Sequence, residues 1–275
     1  MTHPFCPGYP APYASLVSDY PEAEAYPAAD FRIEWGPIFH RGRLDGTARL
    51  LLIGQDPAAE EGFTRRILVG VAGQRTQGLM SRLGITRSYV MVNTFLYSVA
   101  SQTGGAKHQK DPAIAAYREQ WLDTLTGHNQ IQAVITLGTL AADAYTAWLV
   151  TPTGKKHKAL HHAALLHPTY PESASATGQT TLSAATAKLL ANWNDALPGL
   201  GAALTHPDEP APLTKYGNAF MPADLTPIPE ADLPPGLPAW VRSPEVWAHR
   251  TGANQDDKRA TLTVVVPADL RPWTT

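Results

Sequence analysis

Four mainly apolar runs along the chain predict strands that are covered on both faces. They lack the alternation of apolar and polar residues that marks a strand with one wet face. Each run stops at a polar or glycine-containing segment. The runs cover residues 48–53, 89–92, 133–137 and 163–166, of which the last is short, rich in alanine and assigned by its context.

Predicted helices separate these runs and cover residues 74–83, 112–126, 139–149 and 182–196. Pro112 stands in the first turn of the second helix, and Asp111 before it is a suitable N-cap. Because strands and helices alternate, we predict an α/β fold, a three-layer sandwich with a central four-stranded, mainly parallel sheet. Such sheets bind ligands at the carboxyl ends of their strands, where the polar segments lie.

The character of the sequence changes after Pro198. Thirteen of the 25 prolines lie between this residue and the end of the chain, and Trp240, Trp247 and Trp273 are spread among them. A solvated linker would seldom carry three tryptophans. We therefore expect two parts. These are a main domain, residues 1–198 with its core at 45–197, and a proline-rich C-terminal extension, residues 199–275, that packs on the core as an ordered arm. A partly disordered arm is the alternative.

Composition and charge narrow the class of protein. The chain of 275 residues is 44% hydrophobic and 17% charged, which is typical of a globular protein. Its formal net charge of −2 gives no global positive field, although a site can still be locally basic. The single cysteine, Cys6, excludes an internal disulfide and a cluster held by several thiolates of this chain. No apolar run is long enough to span a membrane and the N-terminus shows no export signal, so we expect a cytoplasmic monomer.

Residues 54–57, Gly-Gln-Asp-Pro, follow the first predicted strand and contain the first candidate for chemistry. The glycine lets the backbone approach a ligand, and Pro57 keeps Asp56 out of helical geometry. A carboxylate here can orient a water molecule or stabilise a cation, such as the oxocarbenium-like sugar formed when a glycosidic bond breaks. Taken alone, the segment favours an ordinary turn in which Asp56 makes local hydrogen bonds.

Asn93 and His167 end two further predicted strands. The amide of Asn93 offers a donor and an acceptor, which is enough to read the Watson–Crick edge of a pyrimidine. His167, followed by Pro168, can donate a hydrogen bond to an oxygen that gains negative charge as a base departs. Each residue also has a purely structural interpretation. Together with Asp56, however, they lie at the carboxyl ends of the first, second and fourth strands and can converge on one cleft.

The order and spacing of these motifs resemble the uracil-DNA glycosylase superfamily. Gly-Gln-Asp-Pro matches the water-activating loop of the family 1 branch, and a late His-Pro segment is common to members. Residues 68–73, Leu-Val-Gly-Val-Ala-Gly, and Glu61 are similar to the iron–sulfur (family 4) branch in sequence and spacing. The resemblance covers roughly residues 45–197.

This resemblance implies a role for each matching residue. Asp56 would activate water and stabilise the sugar cation, and His167 would polarise an oxygen of the base. Gln55 would bind the base through its backbone, while Asn93 would read its edge. The implied partner is DNA with a flipped nucleotide.

Three departures from the family pattern concern the base pocket and the iron–sulfur cluster. Ala58, followed by Ala59, stands where the family 1 branch has a tyrosine that excludes pyrimidines with a 5-substituent. Leu68 replaces a stacking phenylalanine of the iron–sulfur branch, so face-on stacking on the base is lost. The four cluster cysteines are missing as well, so we expect no iron–sulfur cluster and no cofactor. Tyr170 is a candidate for the wedge that fills the gap left by a flipped base, and loop packing is its alternative role.

These features lead to a functional hypothesis. We expect a monofunctional DNA glycosylase (EC 3.2.2.-) that flips out a non-standard pyrimidine-derived base and hydrolyses its N-glycosidic bond, leaving an abasic site. We call the position of Ala58 the gate, because the family 1 tyrosine at this position excludes 5-substituted pyrimidines. An alanine leaves the gate open, which suggests a bulky 5-modified base, such as glucosylated hydroxymethylcytosine in bacteriophage DNA, and hence antiviral defence. The alternatives are ordinary uracil excision in DNA repair, a non-catalytic protein that binds modified DNA, and a nucleoside hydrolase.

A compact basic loop, residues 155–158, precedes the fourth predicted strand. Lys155 and Lys156, together with Arg75, are candidates for contacts with phosphates beside the flipped nucleotide. Four histidines between residues 157 and 167 raise the possibility of zinc, but their spacing matches no familiar ligand set, so we expect no metal site.

Overall fold

A five-stranded sheet lies at the centre of the computed structural model, which describes residues 8–21 and 23–271. Its strands are β1 (His40–Gly42), β2 (Leu50–Gly54), β3 (Tyr89–Asn93), β4 (Ala133–Leu137) and β5 (His161–Leu165). Their order is β1-β3-β2-β4-β5, in which β1 is antiparallel and the other four strands are parallel. The predicted α/β class with a mainly parallel sheet is confirmed, but the predicted count of four strands was wrong.

The strand that the sequence did not reveal is β1. It is three residues long and contains a histidine, an arginine and a glycine, so it forms no apolar run. It is nevertheless buried, because its polar side chains have partners inside the protein. His40 lies parallel to the ring of Trp121 at 6.5 Å between centroids, and Arg41 makes several hydrogen bonds.

Helices cover both faces of the sheet. They are α1 (Tyr13–Ser18), α2 (Ala59–Thr64), α3 (Val71–Arg82), α4 (Gln102–Ala106), α5 (Pro112–His128), α6 (Thr139–Trp148), α7 (Tyr170–Ala176), α8 (Leu182–Ala203) and α9 (Gln255–Ala260). Apolar side chains of α5 and α6 pack on one face of the sheet, and those of α3 and α8 pack on the other. The predicted three-layer sandwich is therefore present.

Two details of the predicted helices need correction. Asp111 occupies the N-cap position of α5, but its side chain makes no capping bond and instead lies 2.6 Å from Nδ1 of His108. Helix α8 does not end before Pro198 but continues through it for five more residues. Leu197 and Leu200 are fully buried there, and this burial favours the helix despite the missing backbone donor.

The described part of the C-terminal extension lies against the core. Ile228, Leu233, Val241 and Trp247 are buried in a cluster that also contains Val69 of the main domain. A short hairpin follows, formed by β6 (Ala248–His249) and β7 (Thr263–Val264). Cys6 and Trp273, which the sequence singled out, lie outside the described residues.

A buried ion pair joins this extension to the sheet. Arg41 of β1 is fully buried and donates from Nη1 to Oδ2 of Asp232 at 2.9 Å and to Oε1 of Gln77 at 3.0 Å. Its Nε donates to the carbonyl of Ile67 at 3.0 Å, and the hydroxyl of Tyr89 donates to Asp232. Because a buried charge is costly unless it is paired and hydrogen-bonded, Asp232 is a structural requirement of the core.

We expect Asp232→Ala to destabilise the protein by about 3–5 kcal/mol, because it leaves the Arg41 guanidinium buried without its counter-charge. Urea unfolding followed by circular dichroism measures the change. Glu230→Ala is the matched control, since the side chain of Glu230 is 84% exposed and lies 3.7 Å from Arg242. Its effect should be small. Equal unfolding midpoints for the two variants would refute the structural role of the ion pair.

Candidate active site

A cleft of about 900 Å³ lies at the edge of the sheet where β2, β3, β4 and β5 end. These four strands are parallel, so their carboxyl ends meet at this edge, which is the usual ligand site of such sheets. Five of the predicted site residues line the cleft: Gln55, Asp56, Ala58, His167 and Tyr170. The structure therefore brings together the loop after β2 and the segment after β5.

Hydrogen bonds to the segment that follows β3 position the loop after β2. The amide of Thr94 donates to the carbonyl of Gly54, and the amide of Phe95 donates to that of Gln55, each at 2.9 Å. These bonds extend the pairing of β2 with β3 beyond the strands. The amide of Val99 donates to Oδ2 of Asp56 at 2.9 Å and fixes one oxygen of that carboxylate.

The carboxylate of Glu61 organises the gate next to Asp56. One oxygen accepts the amide of Ala58 at 2.8 Å, and the other accepts the amide of Val69 at 2.9 Å. Glu61 is itself buried, so these donors offset the cost of burying its charge. The exposed methyl group of Ala58 is thereby held at the wall of the cleft.

Burial determines the protonation state of Asp56. It raises the pKa of this carboxyl to about 7, and the negative charge of Glu61 acts in the same direction, while the Val99 amide opposes the shift. A carboxyl group with this pKa changes charge near neutral pH. This property suits a general base, which must accept a proton at the working pH.

The backbone before His167 is held by two side chains of α8. Oδ1 of Asn192 accepts the amide of Leu166 at 2.8 Å, and the indole of Trp193 donates to the carbonyl of Leu166 at 3.1 Å. The backbone N–H and the backbone carbonyl of Leu166 are therefore both fixed by one helix. This leaves little freedom for the position of the histidine that follows.

His167 is a neutral hydrogen-bond donor in this structure. Burial lowers its pKa to about 4, so the ring is uncharged at neutral pH. The amide of Thr169 donates to Nδ1 at 3.3 Å, and a main-chain N–H can only donate. The ring proton therefore lies on Nε2. A neutral imidazole of this tautomer can donate to an oxygen that becomes negative.

Arg75 has a position that the sequence did not suggest. Its guanidinium donates to the carbonyl of Pro168 at 2.7 Å and to both carboxylate oxygens of Glu172, at 2.7 and 3.0 Å. It also lies over the ring of Phe220, with Cζ 4.7 Å from the centroid. The donors predicted to bind phosphate are thus used within the protein, and the structure places Arg75 as a support of the His-Pro segment.

Asn93 and Leu68 flank Gly54 and are not among the residues that line the cleft. A Cβ atom at Gly54 would come within 2.3 Å of Oδ1 of Asn93 and 3.8 Å of Cδ1 of Leu68, so a glycine is required there. Oδ1 of Asn93 is buried and has no hydrogen-bond partner among the described residues. Because buried acceptors are nearly always paired, this oxygen is suited to a donor on a ligand.

The basic loop lies at the opposite edge of the sheet. Lys155 and Lys156 precede β5, whose first residue, His161, pairs with Ala133 at the start of β4. The strands run from that edge towards the cleft. The prediction that these lysines contact phosphates beside the flipped nucleotide is therefore at odds with their position, because residues before and after a parallel strand lie at opposite edges.

The histidines of this region point to different partners. His157 stacks on Trp148, and Nε2 of His162 lies 2.9 Å from the hydroxyl of Thr136. Within residues 8–21 and 23–271, no group of three or more His, Cys, Asp or Glu side chains lies close enough to hold a metal ion.

Three residues near the cleft carried no recognisable motif. Asn192 and Trp193 lie inside a long helix, although asparagine is a poor helix former and its presence there is a weak signal of a side-chain role. Arg250 belongs to the C-terminal extension and lines the cleft from a part of the chain far from Asp56 in sequence.

Comparison with known families identifies the fold and the class of activity. The model of the uracil DNA glycosylase superfamily matches residues 41–196, which is more than half of the chain. No curated protein shows significant similarity to it. Among the described helices, none combines the length and apolar character needed to cross a membrane. The superfamily acts on DNA and indicates hydrolytic glycosylase activity. With Asp56 and His167 facing one cleft at the ends of parallel strands, the chain belongs to the uracil DNA glycosylase superfamily.

Proposed function

We propose that this protein is a monofunctional DNA glycosylase that flips a non-standard pyrimidine-derived base into the cleft and hydrolyses its N-glycosidic bond. One observation carries the proposal: the carboxyl group of Asp56 and the neutral ring of His167 line the same cleft, at the ends of β2 and β5. Asp56 is suited to act on the water and the sugar at one end of the bond, and His167 is suited to act on the departing base at the other end. The product is an abasic site, because no lysine is among the described residues that line the cleft and could act as a Schiff-base nucleophile.

The proposed reaction uses the two groups in concert. The amide of Val99 holds one oxygen of Asp56, and the other accepts a proton from a water molecule that attacks C1′ of the deoxyribose. As the bond between C1′ and the base breaks, its electron pair moves onto the base. The ionised carboxylate stabilises the sugar cation, and Nε2–H of His167 donates to the base oxygen that becomes negative.

Base recognition is assigned to the residues around Gly54. The unpartnered Oδ1 of Asn93 would accept a hydrogen bond from an N–H group of the base, which both cytosine and uracil derivatives offer. The carbonyl of Gln55 is already occupied by Phe95, so its amide is the backbone group proposed to bind the base. Leu68 would supply apolar contact in place of an aromatic stack.

The gate at Ala58 supports a substrate larger than uracil. Ala58 is exposed at the wall of a cleft of about 900 Å³, which is within the range of pockets that bind drug-sized ligands. We propose a bulky 5-modified pyrimidine, such as glucosylated hydroxymethylcytosine in bacteriophage DNA, and therefore a role in antiviral defence. Ordinary uracil excision in base-excision repair is the second candidate, because Asn93 also suits the edge of uracil.

Tyr170 is proposed as the wedge that occupies the gap in the base stack. It is the first residue of α7 and lies at the rim of the cleft, half-buried, with the ammonium group of Lys188 5.5 Å from its ring centroid. A wedge serves a polymeric substrate. Its place beside His167 therefore favours DNA over free nucleosides.

We expect base release from one member of a DNA panel that contains uracil, thymine, cytosine, hydroxymethylcytosine or its glucosylated form. Abasic sites are detected by mild alkali after incubation. Asp56→Asn retains the shape of the side chain and should lower the rate by at least about a hundredfold, because the base and the negative charge are both lost. If the wild-type protein releases no base from any member of the panel, support shifts to the non-catalytic or nucleoside-hydrolase alternatives.

The rate of base release should depend on pH through Asp56. Its carboxylate is the active form and its pKa is raised to about 7, so single-turnover rates should rise about tenfold per pH unit below 7 and level off above it. His167, with a pKa lowered to about 4, stays neutral between pH 5 and 9 and therefore adds no second pH-dependent change to the rate. A rate that is constant between pH 5 and 8 would contradict the role of Asp56. The residual rate of Asp56→Asn is the control.

Ala58→Tyr should narrow the gate. If the substrate carries a bulky 5-substituent, this change lowers its release by at least tenfold because the ring occupies the space of the substituent. Release of uracil should change much less. Ala142→Ser, a small change elsewhere on the wall of the cleft, is the control. Efficient cleavage of uracil by the wild-type protein, with no action on modified cytosine, would remove the enlarged-pocket hypothesis.

A further inference from the structure

One wall of the cleft comes from outside the family match. Arg250 follows β6 in the C-terminal extension, and its exposed side chain lines the cleft together with Asp56 and Ala58. Neither water activation nor base recognition uses it. The proposed reaction therefore gives no function to the positive charge of Arg250.

The extension holds Arg250 in place from both sides. Trp247, three residues earlier, is buried, and its ring centroid lies 5.4 Å from that of Phe63 in α2. On the other side, the amide of Thr251 donates to the hydroxyl of Thr261 at 3.2 Å. Since α2 begins next to the gate residue, the backbone of Arg250 is fixed relative to the gate.

The guanidinium of Arg250 has an aromatic neighbour but no ion pair. Its Cζ lies over the ring of Trp35, 5.9 Å from the centroid. Within the described part of the chain, no carboxylate oxygen approaches its nitrogens to 4.0 Å. Arginine donors in a protein are usually satisfied by carboxylates or carbonyls, so this one is available to an anion from outside.

Arg250 lies among charges of both signs. Burial lowers its pKa and the charge of Asp56 opposes this shift, and two more arginines are close by. Burial lowers the pKa of Arg32 to about 10, and the charge of Arg250 acts in the same direction, which shows that the two cations are close. Arg32 donates to the carbonyl of Ala100 at 3.0 Å, and Arg259 donates to that of Phe31 at 2.9 Å. Both are thus used internally. Arg250 is the member of this group whose charge faces the cleft.

We propose that Arg250 binds a backbone phosphate of the DNA strand that carries the flipped nucleotide. The planar guanidinium presents paired donors that match two phosphate oxygens. A phosphate flanks the deoxyribose on each side, so one of them lies near Asp56 when C1′ faces its carboxylate. The inference rests on the proposed function, because it requires a flipped nucleotide in the cleft.

The test measures binding to a duplex with a single tetrahydrofuran abasic analogue, which needs no knowledge of the excised base. Arg250→Ala should weaken binding by about tenfold or more, and the slope of log K against log salt should become shallower by roughly 0.9, the value for one lost phosphate contact. Arg250→Lys should recover part of the affinity. Arg87→Ala is the matched control, because that side chain is 67% exposed near the start of β3, at the far edge of the sheet.

Neutral phosphates identify the contact. Duplexes with a methylphosphonate at each position next to the abasic analogue should bind the wild-type protein less tightly at one position. Arg250→Ala should show no further loss at that position. Additive losses at every position would overturn the proposal, as would affinity and salt slope equal to those of Arg87→Ala.

The outcomes also separate this proposal from the function itself. If the wild-type protein binds the abasic duplex no better than undamaged DNA and releases no base, both proposals fail. If it binds and Arg250→Ala is unchanged, the phosphate contact alone is wrong. Unchanged affinity with a shifted pH profile would show that Arg250 acts on the carboxyl group of Asp56 and not on DNA.

Discussion

The charge of Arg41 is the constraint on which the relation between the sheet and the C-terminal extension depends. This guanidinium is sealed inside the protein on the edge strand β1, and its counter-charge, Asp232, comes from the extension. Folding cannot bury the arginine at acceptable cost until the extension is in place. The pair therefore anchors the extension between its contact with α3 at Asp224 and its contact with α2 at Trp247. The far wall of the cleft, including Arg250, follows from that placement.

A single physical cause gives the two central residues of the cleft opposite properties. Exclusion of water penalises the charged form of every ionisable group. For Asp56 the charged form is the base, so burial raises its pKa towards neutrality. For His167 the charged form is the acid, so burial keeps the ring neutral. A carboxyl group that can accept a proton and a neutral imidazole that can donate a hydrogen bond from Nε2 thus arise in the same environment.

Much of the fold could be predicted because its strands are apolar on both faces. Strands β2 and β4 are continuous runs of buried residues, β3 departs from this only at Asn93, and β5 is buried at Ala163 and Leu165. The polar segment after each strand marks the edge where ligands bind. Strand β1 has no such pattern, since its burial depends on hydrogen bonds from Arg41 to residues distant in sequence. Pro198 gave a misleading stop signal because the leucines on either side of it favour continuing the helix.

The site could be predicted less completely, for reasons of topology and pairing. The positions of Asp56 and His167 followed from the strands that they terminate. Lys155 and Lys156 precede β5 whereas His167 follows it, and residues before and after a parallel strand lie at opposite edges of the sheet. The internal hydrogen bonds of Arg75 could not be predicted, because its partner Glu172 lies almost a hundred residues further along the chain.

The span of the family match and the span of the folded unit differ in this protein. The match ends at residue 196, whereas the counter-charge of Arg41 and one wall of the cleft lie beyond it. A protein that ends at residue 196 would keep every motif but would lose the counter-charge of Arg41 and one wall of the cleft. The extension therefore contributes directly to the edge strand of the sheet and to the wall of the cleft. The cleft is thus a property of two segments of the chain, the one that matches the family and the one that follows it.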